Sequence, residues 1–113
     1  MREQRALTTA EQHALERFKA ALESLLTDSL VSLRLFGSRA RGDAEPDSDL
    51  DVLVLVEHLN PAMRRTISHC AWEIGFEAGI LIQTVVMSRD EAEHGPEQSS
   101  LLMLAVKEEG VPV

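Results

Sequence analysis

A short apolar run in the middle of the chain, Leu50 to Val56, constrains the fold most strongly. Its one polar side chain is that of Asp51, and the other residues are leucine and valine. Strands that are buried on both faces have this composition, whereas strands with one face in water alternate apolar and polar residues. We therefore expect a central strand with packing layers on both sides, which means a sheet flanked by helices.

The segments before this strand predict one helix and one further strand. Thr8 and Glu11 have capping-box spacing, which indicates a helix start. Leu30 to Phe36 alternates apolar and polar residues, as a half-buried strand does. Apolar residues at three- and four-residue steps predict a buried stripe on the helix. These stripe residues are Leu15, Phe18, Leu22, Leu25 and Leu26.

The segments after the central strand predict three helices and a third strand. Asn60, followed by a proline, marks the start of a long helix that we expect to end at Gly79. A helix of this length allows parallel pairing with the third strand, Ile80 to Met87. A short helix follows, and a last one is expected over Leu101 to Lys107. The predicted fold class is α/β in the mixed α+β sense: a small mixed sheet of three or more strands flanked by helices.

Length and charge narrow the classes of function. The chain has 113 residues, enough for a single domain over 1–113. Asp and Glu number 19 and Lys and Arg 11, and the formal net charge of −8 argues against direct nucleic-acid binding through phosphates. We expect no membrane span, because no apolar run approaches about 18 residues, and we expect no signal peptide. Cys70 is the single cysteine, which favours the reduced cytoplasm.

The segment 37–48 joins the first two strands without a helix or strand pattern, and irregular connections of this length are usually functional. It begins with Gly37 and Ser38, whose backbone amides and hydroxyl suit phosphate oxygens. Arg39 and Arg41 add forked donors that also suit phosphate. The alternative is an ordinary Gly-Ser turn, with arginines that are solvated or paired with nearby aspartates.

Asp49 and Asp51 stand two residues apart at the start of the central strand, so both side chains face one way, roughly 7 Å apart at the backbone. Two carboxylates in this arrangement repel each other unless a cation lies between them. Mg²⁺ takes carboxylate oxygens and also keeps substrate phosphates. Two solvated acids at a strand end are the alternative, although acids on so apolar a strand need a reason. A nucleoside triphosphate would bridge the phosphate-type loop and this pair.

Taken together, the residues from Phe36 to Val54 resemble the signature of the nucleotidyltransferase superfamily typified by DNA polymerase beta. The signature is Gly37-Ser38, ten intervening residues and Asp49-Leu50-Asp51. Arg39-Ala40-Arg41-Gly42 and Ser48-Asp49 are similar to its minimal, stand-alone bacterial and archaeal members. Those small proteins also resemble this chain in length and in element order.

The resemblance implies the nucleotidyltransferase fold and a Mg²⁺-dependent transfer of a nucleoside monophosphate, AMP from ATP, to an acceptor hydroxyl. It implies that Asp49 and Asp51 are the catalytic, metal-binding carboxylates. The nucleotide-binding residues that it implies are Gly37, Ser38, Arg39, Arg41 and Ser48. Minimal members are often paired with a helical HEPN-domain toxin and act as antitoxins by transferring AMP to a toxin tyrosine. The resemblance therefore implies a HEPN-domain partner.

The match departs from the family at the third strand. Catalytic members usually carry a third carboxylate there, whereas Ile80 to Met87 contains no acid and Gln83 is its most polar residue. An amide can ligate a metal weakly but cannot act as a base at neutral pH. One hypothesis is an enzyme that works with two carboxylates; the other is a non-catalytic binding module that blocks a partner surface. Transfer to a small molecule is a weaker third hypothesis, because no second domain is evident.

The long helix and the histidines of the chain carry further predictions. Trp72 and Phe76 are four residues apart, which predicts core packing. Glu73 and Glu77 beside them predict a solvated face. The four histidines of the chain are scattered without metal-ligand spacing. A homo-oligomer is compatible with all of these features.

Overall fold

The computed structural model describes residues 7–36, 49–94 and 110–113. The strands are β1 (Leu30–Phe36), β2 (Leu50–Val56), β3 (Ile82–Ser88) and β4 (Val111–Pro112). The helices are α1 (Thr9–Leu26), α2 (Pro61–Ala78) and α3 (Arg89–His94), and a 3₁₀ turn covers Thr27–Ser29. The segment 37–48 and the helix expected over 101–107 lie outside the described residues.

The four strands form one mixed sheet in the order β3-β2-β1-β4. β1 pairs antiparallel with β2, and β2 pairs parallel with β3 through the α2 crossover. β2 is central, and four of its side chains that face the helices are fully buried: Leu50, Val52, Val54 and Val56. The prediction of a mixed sheet with a buried central strand and a parallel crossover is confirmed. β4 was not predicted; it pairs antiparallel with β1 at the other side of the sheet.

Local capping explains where both long helices begin and where α2 ends. The Thr8 hydroxyl accepts a hydrogen bond from the Glu11 backbone N–H at 3.1 Å, and the Glu11 carboxylate accepts one from the Thr8 N–H at 2.9 Å. Asn60 caps α2 by accepting a hydrogen bond from the Met63 N–H at 2.8 Å. Gly79 ends the helix in the left-handed region with φ of 75°, which glycine adopts without strain.

The end of α2 also sets where β3 begins. The Ile80 N–H donates to the Gly75 carbonyl at 2.9 Å, so Ile80 belongs to the helix terminus and the strand starts at Ile82. The predicted start at Ile80 was therefore wrong by two residues. The helix and Ile80 also pack closely at Gly75, where a Cβ atom would lie 2.6 Å from the Ile80 carbonyl oxygen.

The core lies between the sheet and the helices α1 and α2. Its helical contributions include Phe18 and Leu22 from α1 and Ile67 from α2, all with no exposed surface. Leu25 is 56% exposed, because it lies at the edge of the apolar stripe, beside the open groove between α1 and α2. Its predicted place in the buried stripe was wrong.

Trp72 and Phe76 do not belong to the core. They are 58% and 72% exposed, and their rings stack on each other with centroids 5.2 Å apart. The predicted core packing was wrong because α2 buries the opposite stripe, which contains Ile67, Ala71 and Ile74. Among the described helices, none combines the length and the apolar character that a membrane crossing requires.

Candidate functional site

Two carboxylates lie at the N-terminal end of the central strand. Asp49 immediately precedes β2, and Asp51 is its second residue. Leu50 between them is fully buried on the helix side, whereas both acids keep partial exposure. The alternation of the strand therefore turns Asp49 and Asp51 toward the face of the sheet opposite α1 and α2.

Gln83 of β3 completes this group. The parallel register of β2 and β3 pairs Asp51 with Gln83, so their side chains share a face on strands about 4.8 Å apart. The Gln83 side-chain amide donates a hydrogen bond to Asp49, with Nε2 and Oδ2 2.6 Å apart. Gln83 is therefore the residue of β3 that lies beside both acids, on the strand where the sequence lacks a third carboxylate.

The two acids interact electrostatically. Burial raises the pKa of Asp51 above the ordinary value of 3.8, and the negative charge of Asp49 raises it further. Both effects disfavour the ionised form of Asp51. The repulsion expected from the sequence spacing is therefore present, and a cation placed between the carboxylates would relieve it.

A small apolar cluster continues the face of the sheet on which the two acids lie. Leu53 and Met87 are its buried centre, and Phe36, Leu55 and Val85 pack against them. Phe36 is the register partner of Asp51 on β1. Sequence patterning did not identify this cluster, because β2 is apolar on both faces and only the strand register shows which side chains adjoin Asp51.

The proposed phosphate-binding residues fall outside the described part of the chain. Gly37, Ser38, Arg39, Arg41 and Ser48 all belong to 37–48. The described residues that flank this segment are Phe36, the register partner of Asp51, and Asp49 itself. Both flanks thus lie at the same end of the sheet as the two carboxylates.

The donor chemistry of the site suits a hard divalent cation. Asp49 and Asp51 offer carboxylate oxygens on one face, and Gln83 has an amide oxygen on the adjacent strand. Oxygen ligands of this kind, completed by waters and substrate phosphates, are what Mg²⁺ prefers. No cluster of three or more His, Cys, Asp or Glu side chains suited to a metal occurs in the described ranges, so the acids here form a pair and not a triad.

Cys70 lies on α2, away from the carboxylate pair. It is buried on α2, where burial raises the pKa of its thiol and the charge of Glu73 raises it further. A thiol in this state is a poor nucleophile, as expected for a packing residue.

Comparison with known proteins gives a family match and a related protein. The family model described as the nucleotidyltransferase domain matches residues 15–106. A proposed protein adenylyltransferase of Methanocaldococcus jannaschii is 34% identical over 77 residues, which cover 66% of this chain and 77% of that protein.

Two solved structures are similar in fold. A structure described as a minimal nucleotidyltransferase superposes with a TM-score of 0.54 at 27% identity, and covers 90% of this chain and 94% of the other. A toxin–antitoxin structure with AMP-PNP superposes with a TM-score of 0.53 at 18% identity, and covers 84% of this chain and 70% of the matched one. At 18% identity, the comparison with the toxin–antitoxin structure shows only that the two chains share a fold.

Proposed function

This chain belongs to the nucleotidyltransferase family and, within it, to the minimal nucleotidyltransferases, and we propose that it transfers AMP from ATP to a protein hydroxyl. The acceptor that we propose is a tyrosine of a HEPN-domain toxin, which the modification inactivates, so that the chain acts as a cytoplasmic antitoxin. The observation that carries the proposal is the carboxylate pair Asp49 and Asp51, held on one face at the end of β2.

In this proposal Asp49 and Asp51 hold Mg²⁺ through their carboxylate oxygens. The bound ion supplies Lewis-acid stabilisation of negative charge on the triphosphate and on the leaving pyrophosphate. Gln83 orients the Asp49 carboxylate through its hydrogen bond. Gly37, Ser38 and Ser48, with Arg39 and Arg41, are proposed to bind the β- and γ-phosphates.

The acceptor hydroxyl attacks the α-phosphorus of ATP. A bond forms between the acceptor oxygen and this phosphorus, the bond to the bridging oxygen breaks, and pyrophosphate leaves. The hydroxyl proton passes to solvent water, because the amide of Gln83 cannot accept it. A phenol loses its proton more readily than an alcohol, since the tyrosine pKa is about 10, so a tyrosine acceptor fits a site with two carboxylates.

Two comparisons support the choice of nucleotide and acceptor. The relative from Methanocaldococcus jannaschii is named for the transfer of AMP to protein. A chain of the same fold occurs in a toxin–antitoxin complex with AMP-PNP, an ATP analogue.

The test is transfer of radiolabel from [α-³²P]ATP to a HEPN-domain protein encoded beside this chain, with Mg²⁺ present. We expect labelling of the HEPN protein, and we expect Asp49→Asn and Asp51→Asn each to reduce its rate about 100-fold or more, because even the outer-shell partners of metal ligands commonly contribute 10–100-fold. Asp28→Asn, at an exposed aspartate of the 3₁₀ turn, is the matched control. Labelling that survives both site substitutions would overturn the roles of the acids.

A second candidate function is neutralisation by binding alone. The specific observation in its favour is that β3 presents Gln83, and no acid, beside the carboxylate pair. The discriminating variant carries Asp49→Asn and Asp51→Asn together. If this variant still protects cells from the toxin, complex formation suffices; if protection is lost while the complex persists in pull-down, catalysis is required.

A further inference from the structure

The solvent side of α2 carries an exposed stripe of four residues: Arg65, His69, Trp72 and Phe76, which we call the outer stripe. All four are exposed, and Trp72 and Phe76 stack in nearly parallel planes, 12° apart. Successive members are four, three and four residues apart, the spacing of a helix seam that packs on another helix. Two adjoining aromatic side chains left in water on such a seam indicate a surface that a partner covers.

The charged residues of α2 are divided between its two halves. Arg64 and Arg65 lie in the N-terminal half, together with the basic side chain of His69, and Glu73 and Glu77 lie in the C-terminal half. This division opposes the helix dipole, which favours acids near the N-terminus and bases near the C-terminus. Helix stability therefore does not explain the arrangement.

Some of these side chains pair with each other or with α1. Glu77 forms an ion pair with Arg17 of α1, and His69 lies 3.5 Å from Glu73. Arg65 has no ion-pair partner among the described residues. The basic end of the outer stripe is therefore available to a second molecule.

We propose that the outer stripe is a homodimer interface in which two copies of α2 pack antiparallel about a twofold axis. Antiparallel packing places the basic half of each helix against the acidic half of the other. Arg65 then lies opposite Phe76 and Glu77 of the second copy, and His69 lies opposite Trp72 and Glu73 of the second copy. Each contact occurs twice, as a twofold interface requires, and each joins a base to an aromatic ring or a carboxylate.

The size of the surface predicts a weak dimer. The 18 residues of α2 span about 27 Å, and a helix is about 10 Å wide. The patch therefore measures roughly 300 Å² per copy, below the ~800 Å² per partner of standard interfaces. We expect a monomer–dimer equilibrium with a dissociation constant in the micromolar range or above. This inference rests on residues separate from the carboxylate site, so it stands or falls independently of the proposed function.

Sedimentation equilibrium of the purified full chain over a wide concentration range tests the proposal. We expect the mass to rise from the monomer value of 12.5 kDa toward twice that value. Trp72 is the single tryptophan and the chain has no tyrosine, so its emission reports on the outer stripe directly. We expect the emission maximum to shift to the red on dilution, in step with the mass.

Charge-reversal variants test the antiparallel geometry. One variant carries Arg65→Glu and His69→Glu, and the other carries Glu73→Lys and Glu77→Lys. Each alone should dimerise about tenfold more weakly or not at all, because like charges would face each other. An equimolar mixture should form a heterodimer, because every position again meets its opposite. Recovery in the mixture also excludes misfolding as the cause of the loss.

Leu81→Ala is the matched control, since Leu81 is a large apolar residue, 51% exposed, outside α2. It should leave the dimer constant unchanged, whereas Trp72→Ala should weaken the dimer. A wild-type chain that stays monomeric at every concentration overturns the proposal, as do reversal variants that dimerise normally. If the monomeric chain instead loses binding to a HEPN-domain protein when the outer stripe is changed, the surface belongs to that partner and the homodimer is excluded.

Discussion

Gln83 and Asp49 are joined by a short hydrogen bond from one strand to its parallel neighbour, with the amide Nε2 2.6 Å from the carboxylate Oδ2. The amide donates this bond, and an amide cannot take up a proton at neutral pH. It fixes the orientation of one of the two carboxylates. In the proposed mechanism Gln83 is thus a positioning residue, and the chemistry is assigned to the pair of aspartates.

Replacing Gln83 by glutamate should increase AMP transfer. The side chain keeps its length and adds a third carboxylate beside Asp49 and Asp51, which strengthens metal binding and supplies a base. We expect a gain of about tenfold in kcat at saturating Mg²⁺, which is below the general-base contributions of about 10²–10⁴. The measurement is single-turnover labelling with [α-³²P]ATP over a range of pH.

The control for this variant is Gln83→Leu, which removes the hydrogen bond to Asp49 without adding a charge. It should reduce kcat several-fold by freeing the Asp49 carboxylate. If glutamate and leucine reduce transfer equally, the position tolerates no change and a role as a substitute for the third carboxylate is excluded.

The metal-free protein should lose stability as the pH rises through the pKa of Asp51. The pKa of this residue is raised above 3.8 in the folded state, by burial and by the charge of Asp49. Between the two values the folded state binds more protons than the unfolded state, so the free energy of unfolding decreases with increasing pH. In Asp51→Asn this decrease is absent. Urea denaturation in the presence of a chelator, from about pH 3 to pH 7, measures the difference between the two proteins.

Replacing Asp51 should raise the stability of the metal-free protein and abolish its activity. Near neutral pH the metal-free Asp51→Asn protein should be more stable than the wild type, because it lacks the repulsion from Asp49, although it should be inactive. Asp28→Asn should change neither property. A metal-free Asp51→Asn protein that is less stable than the wild type would show that the carboxylate is stabilised in the fold by contacts other than a cation.

Adding Mg²⁺ should stabilise the wild-type chain through the carboxylate pair. A ligand that binds only the folded state adds RT ln(1 + [L]/Kd), which is about 2.7 kcal/mol at 100 times Kd. Asp49→Asn and Asp51→Asn should each lose most of this gain. Thermal melting with and without Mg²⁺ measures it. An equal shift in wild type and both variants would place the bound ion elsewhere on this acidic chain.

The fold could be predicted from the sequence wherever one physical signal dominates. The apolar run of β2 fixed the centre of the sheet, and Asn60 and Gly79 fixed the ends of α2. Trp72 and Phe76 were misplaced because their spacing is the same for a buried stripe and for an exposed one. The buried stripe of α2 is composed largely of small and medium residues such as Ala71 and Cys70, so hydrophobicity alone selects the wrong face.

Only those features of the site that do not depend on strand register could be predicted from the sequence. The spacing of Asp49 and Asp51 places them on one face whatever the surrounding fold. The hydrogen bond between Gln83 and Asp49 joins residues 34 positions apart. It depends on the parallel register of β2 and β3, which no local pattern contains. The fourth strand escaped prediction for the same reason, since β4 has two residues and forms through its pairing with β1.

At Gly75, α2 packs closely against the backbone just before β3. A Cβ atom there would lie 2.6 Å from the Ile80 backbone carbonyl oxygen, and backbone cannot move aside as a flexible side chain can. Gly75→Ala would gain about 1 kcal/mol of helix propensity, but overpacking commonly costs about 1–3 kcal/mol. Since this contact is shorter than ordinary overpacking, we expect a net loss of about 2 kcal/mol and a Tm lower by roughly 10 °C.

Gly79→Ala provides the control, because it adds the same methyl group where nothing lies within 4 Å. Its cost should be about 1 kcal/mol and should come from the positive φ alone. The two variants should also differ at the site: a shift of Ile80 moves the start of β3 and thus Gln83, so Gly75→Ala should reduce the stabilisation by Mg²⁺, whereas Gly79→Ala should not. If Gly75→Ala melts at the wild-type temperature, the close approach of α2 to Ile80 does not hold the strand in place, and the alignment of Gln83 with the carboxylates must come from the pairing of β2 and β3.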